Sequence, residues 1–183
     1  MDYYKKIFKE SIIIVILSSI IGIFTGTFLS FNEDLLYSFP IILLILPALN
    51  SLIGDISTVL TSRLTSHLYI GTLPPKIQKS ERLREDFLGL LITILLSMIA
   101  LIILGYSIGL MTGIQIINPF FIVIIIIITF FLLFGVMFVF LFTSSVFLFK
   151  KGKDPNNFLI PFTTSLLDFL TPLTLLMFII IFN

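Results

Sequence analysis

The chain has 183 residues, of which 58% are hydrophobic and 11% charged, and its mean hydropathy is +1.20. These values lie outside the range of a soluble globular domain and place the chain in a lipid bilayer. A net charge of +1, from 11 basic and 10 acidic residues, argues for no nucleic-acid partner, and the absence of cysteine excludes disulfides, thiolate metal sites and cysteine nucleophiles.

A span needs about 20 mostly apolar residues to cross a hydrocarbon core of about 30 Å. Five segments qualify: 11–31, 39–67, 87–113, 119–149 and 158–182. The expected fold is therefore an all-α polytopic membrane domain of five transmembrane helices over residues 1–183, with no internal repeat. Lys5, Lys6 and Lys9 before the first segment resemble the start of a secretory signal. Its apolar run is too long for one and no Ala-x-Ala-like cleavage site follows, so it reads as a retained helix. The second and fourth segments exceed the necessary length, which predicts tilt, a kink such as Pro47 and Gly54 would allow, or extension beyond the bilayer. Two loops, 71–86 and 150–157, are expected on the cytoplasmic side; the end of the first, from Ser80 through Glu81 and Glu85, reads as a helix start.

Ten of the 11 basic residues fall before span 1, between spans 2 and 3, or between spans 4 and 5, and none lies in the opposite loops. That asymmetry predicts a cytoplasmic N-terminus and an external C-terminus, in a multi-pass protein of the cell membrane. The exception is Arg63, late in span 2, where it is expected to snorkel to the interface. His67, at the same end, reads as an interfacial residue.

At 100° per residue, span 2 gathers Pro47, Asn50, Ser51, Gly54, Asp55, Thr58, Thr61, Ser62 and Thr65 within roughly 140°. Such a polar, small face serves equally well for helix packing. Asp55 shifts the reading, because a carboxylate at a helix centre costs about 2.5 to 3.5 kcal/mol to insert and by default marks an ion or proton pathway. Span 5 repeats the pattern: Pro161, Thr164, Ser165, Asp168, Thr171 and Pro172 share a face of about 120°, and Thr163 projects away from it. Asp168 lies about 16 Å into the span, near the bilayer centre. A protonated carboxyl bonded to a neighbouring hydroxyl is the plainer alternative. The prolines each free a backbone carbonyl one turn earlier, which is tolerated where backbone lines a cavity. Carboxylate, hydroxyl and carbonyl oxygens suit hard cations such as Mg²⁺, Mn²⁺ or Ca²⁺, and Mg²⁺ keeps several waters while taking one or two carboxylates. Asp168, Thr164 and Asp55 are the candidate metal-binding residues; Asn50, Ser51, Gly54, Thr58, Pro161, Ser165 and Thr171 are the candidate pore lining.

The sequence Pro47-Ala48-Leu49, Gly54-Asp55 and Leu60-Thr61-Ser62-Arg63-Leu64-Thr65-Ser66, closing at Gly71, resembles the second-helix signature of the MgtE and solute-carrier family 41 magnesium transporters. Gly152-x-Asp154-Pro155 followed by Pro161-x-Thr163-Thr164-x-x-x-Asp168 is similar to that family's last membrane helix with its ion-binding aspartate. The resemblance implies a five-helix protomer that dimerises around one pore, with Asp168 of both protomers binding a largely hydrated Mg²⁺, and no prosthetic group. It implies a homodimer or a heterodimer with a second half-size subunit. Pro47, Arg63, Gly71, Asp154 and Pro155 are the signature positions.

Three departures bear on mechanism. The family's Asn after Gly54 is Asp55, which adds a carboxylate suited to cation attraction or proton carriage. Ile160 stands where bacterial members often have a polar residue. Only ten residues precede span 1, so the cytoplasmic magnesium-sensing gate of bacterial MgtE channels is not expected here. A non-transporting scaffold, whose polar faces serve only assembly, is the competing reading. An intramembrane enzyme is disfavoured, because the sequence shows no His pair, Ser-x-x-Lys dyad or clustered Asp motif.

Overall fold

The computed structural model describes Asp2–Phe182. It consists of five long helices, α1 (Asp2–Phe31), α3 (Pro40–Ile70), α4 (Glu81–Met111), α5 (Pro119–Lys150) and α6 (Pro155–Phe182), and one short helix, α2 (Glu33–Ser38). All five long helices are apolar and long enough to cross a membrane. In hydrocarbon every backbone N–H and C=O must find a partner within the protein, and continuous helices satisfy nearly all of them internally.

The helix ends follow from local chemistry. Pro40 and Pro119 each stand at a helix N-terminus, where the missing N–H costs nothing. Ser80 Oγ accepts the Leu83 N–H at 3.1 Å and caps α4, at the helix start that the loop sequence suggested. Asp154 Oδ1 accepts the Asn156 N–H at 3.0 Å as Pro155 opens α6, which gives the Asp154-Pro155 pair a structural role. Gly71 ends α3 in the left-handed region at φ 81°, where a side chain would be strained.

One element was not visible in the sequence. Glu33–Ser38 forms α2 inside a stretch read as a loop; Glu33 and Asp34 favour its N-terminal turn, and Leu36 is buried beneath it. Pro40 forces the preceding Phe39 out of helical conformation, which separates α2 from α3. α3 itself runs unbroken past Pro47 and Gly54.

α3 is the centre of the bundle and packs on α4, α5 and α6. Ring contacts near both ends, Phe39 with Phe121 at 6.1 Å and Tyr69 with Phe149 at 5.2 Å, hold α3 and α5 parallel along their length. α6 lies antiparallel to both, and α1 packs chiefly on α6, with Phe28 edge-on to Phe169. The most apolar windows of α3 and α5 are 44% buried, against 17% in α4 and 6% in α1, so α1 and α4 are peripheral.

Lipid tails are as apolar as leucine, so contact between membrane helices depends on close fit rather than on water exclusion. On α4, Gly105 and Gly109 provide that fit, one turn apart. A methyl group at Gly105 would stand 2.8 Å from Ile45 Cγ1, and one at Gly109 2.7 Å from Ile41 Cδ1. Two isoleucines of α3, also one turn apart, thus occupy the space that the glycines leave.

Candidate ion site on α3 and α6

On α6 the polar face divides between surface and core. Asp168 is exposed on the outside of the protomer and has no hydrogen-bond or ion-pair partner among the described residues. One turn before it, Thr164 Oγ1 donates to the carbonyls of Ile160 and Pro161 at 3.1 and 3.0 Å, and Ser165 Oγ donates to Pro161 O at 3.0 Å. Both hydroxyls direct their protons into the helix, which leaves their lone pairs as acceptors on the half-buried face. Pro172 has no N–H to offer the carbonyl of Asp168, so that main-chain oxygen lacks its usual helical donor. Thr171 is buried inside the protomer with an unpartnered hydroxyl, as part of the packed interior rather than the open face. Thr163, also buried, donates to Leu159 O and lies on the opposite side of the helix.

α3 meets this face at Gly54, where an added methyl would lie 3.9 Å from Thr164 Cγ2. In an antiparallel pair both helices rise by about 1.5 Å per residue. One turn away from Gly54, Asn50 is therefore level with Asp168, and in the other direction Thr58 is level with the turn at Ile160 and Pro161. Asn50 Oδ1 is buried with no partner, and Thr58 is half-buried. The seam thus carries Asn50, Gly54 and Thr58 on one wall and Asp168, Thr164 and Pro161 on the other.

Asp55 and Ser51 are exposed and turn to a different side of α3. They line a groove of about 550 Å³ between α3 and α4, together with Ser97 and Gly105. Pro47 is exposed on α3. The two intramembrane aspartates therefore lie on separate flanks of one protomer, and no group of three or more His, Asp or Glu side chains forms a metal cluster among the described residues.

At the basic end of α3, Arg63 has a partner that the sequence did not reveal. Its Nε lies 2.6 Å from Oδ1 of Asp86 on α4, while its side chain stays half exposed. Asp86, read as the last residue of a cytoplasmic loop, is only 2% exposed. His67 Nε2 is 3.3 Å from the other carboxylate oxygen, and His67 Nδ1 meets Thr72 Oγ1 at 2.9 Å. Asp86 was legible in principle: it stands four residues before Leu90 and eight before Ile94, both buried, at the spacing of one helix face.

A bundle of five apolar helices with two mid-span carboxyls that have no partner among the described residues, one of them on a helix with two internal prolines and outward-facing lone pairs, has the construction of a polytopic membrane transport protein. Residues 46–178 match the model of the MgtE family, described as divalent cation transporters, and the chain belongs to that family. The match runs from Leu46 in α3 to Phe178 in α6, so the polar faces of both helices fall within it. The family is one of transporters, not of enzymes; its members move divalent cations through the lipid bilayer. Comparisons with curated proteins and with solved structures find no match.

Proposed function

We propose that this chain carries Mg²⁺, or a closely related divalent cation, across the cell membrane through a pore formed between two protomers, with Asp168 of each binding the largely hydrated ion. The observation that carries this reading is the exposure of Asp168 on the outside of a single protomer at mid-span. A carboxyl facing hydrocarbon is costly, so a polar surface must cover it, and a second copy of the same seam supplies one. One carboxyl from each side matches the small number that Mg²⁺ takes while keeping its waters. The lone pairs of Thr164 and Ser165, and the carbonyl of Asp168 beside Pro172, accept hydrogen bonds from those waters. Asn50, Gly54 and Thr58 form the facing wall, and Asp55 adds negative charge on the far flank of α3. A homodimer is the simplest assembly; a heterodimer with a second half-size subunit satisfies the same geometry.

The test is Mg²⁺ flux into liposomes containing purified protein, at matched insertion and oligomeric state. Asp168→Asn should reduce flux to background, while Asp55→Asn should slow it without abolishing it. Full flux through Asp168→Ala would refute the assigned site, and an active monomer would refute the shared pore.

A further inference from the structure

A second groove, on the side of α6 that faces α1 and α5, is independent of the ion seam. It has a volume of about 500 Å³, and its walls are Ile13 and Leu17 of α1, Phe140 and Phe147 of α5, and Phe158 and Phe162 of α6. Phe140 and Phe162 meet at 6.3 Å across it. Between Phe147 and Phe140 it runs about 10 Å along α5, at 1.5 Å per residue. Its character is almost wholly hydrocarbon, except at one end.

That end is the basic loop between α5 and α6. Lys153 lines the groove itself, with Nζ 5.1 Å from the ring centre of Phe158. Lys151 Nζ lies 4.2 Å over the ring of Phe147, on the opposite wall. Both lysines are exposed, and neither has an ion-pair partner among the described residues. The neighbouring Asp154 carboxylate instead accepts the Asn156 N–H at the start of α6. The aromatic rings that form the mouth thus also hold two cations over it, an attraction strengthened wherever water is scarce. An apolar slot with two ammonium groups at its opening, neither paired among the described residues, matches a ligand with a long hydrocarbon body and an anionic head.

We propose that this groove binds one acyl chain of an anionic phospholipid, with the lipid phosphate at Lys151 and Lys153. The apolar walls receive the chain irrespective of headgroup, and the lysines select against a zwitterionic lipid, whose own cation would be brought close to them. Each basic residue near an anionic lipid surface changes affinity by about fivefold. The site is a property of the single protomer and does not depend on the ion pathway.

Native mass spectrometry of the full chain, released from vesicles of phosphatidylglycerol and phosphatidylcholine with identical acyl chains, reads the proposal directly. Wild type should retain phosphatidylglycerol preferentially. Lys151→Gln and Lys153→Gln should each lower that preference about fivefold. Their combination should nearly erase it, and Lys79→Gln, on another loop, should leave it unchanged. Ser144→Phe, which places a ring in the groove, should reduce retention of both lipids. An undiminished preference in the double lysine variant would overturn the proposal even if Ser144→Phe fails to fold. So would a cross-link between Leu17→Cys in two copies that blocks lipid retention, because the groove would then be covered by protein.

Discussion

Replacing Arg63 with alanine should leave the Asp86 carboxylate buried without its strongest partner. The Asp86 side chain is 1% exposed, whereas that of Arg63 is 51% exposed, so the two ends of the 2.6 Å bond are unequal. Loss of the arginine forces the carboxylate to bear its desolvation with only His67 nearby, a cost of about 2 kcal/mol. Replacing Asp86 with asparagine leaves an arginine that still reaches water, and should cost only about 1 kcal/mol. At about 2–4 °C per kcal/mol for a chain of this size, Arg63→Ala should lower the melting temperature in detergent by about 4–8 °C and Asp86→Asn by about half as much. The double variant should fall close to Asp86→Asn alone, because the arginine has no further role once the charge is gone. Thermal unfolding of the four proteins, followed by far-ultraviolet circular dichroism, supplies the cycle. Additive losses, or a larger loss for Asp86→Asn than for Arg63→Ala, would refute this account of the α3–α4 contact.

Gly105→Ala should destabilise the bundle by about 1–3 kcal/mol, because its methyl would stand 2.8 Å from Ile45. Gly89→Ala, on the same helix with nothing within 4 Å, should be neutral or stabilise by up to about 1 kcal/mol; paired melting curves distinguish packing from helix propensity. Asp154→Ala should cost about 1 kcal/mol through loss of the α6 cap, and Asp154→Ser should recover most of it in the same assay.

Hydropathy alone was enough to find the five spans, since long apolar runs have one stable form in lipid. The polar faces were legible too, because helical periodicity fixes which side chains share a side. Periodicity does not say which neighbour a face meets. Thus Asp55 and Gly54 are adjacent in sequence, yet Gly54 meets Thr164 while Asp55 opens toward α4. Thr171 shares a face with Asp168 but lies beneath the packed wall of the bundle. The spacing of Asp86 to Leu90 and Ile94 was outweighed by Arg82, Arg84 and Glu85, which make the segment look solvated, and only the arrival of Arg63 from another helix makes burial of a carboxylate tolerable. The glycine pair on α4 went unread because its meaning depends on two isoleucines some sixty residues earlier.

The placement of α1 bears on how the protein is made. Its main contact is with α6, the element farthest from it in the sequence. As the chain leaves the ribosome, α1 enters the bilayer ahead of α3 to α6 and remains without its principal neighbour until four further long helices have followed. Closure of the bundle is therefore a late, long-range event, in which the helix that carries Asp168 is also the one that docks the first helix. A chain interrupted before α6 would lack both the principal contact of α1 and Asp168.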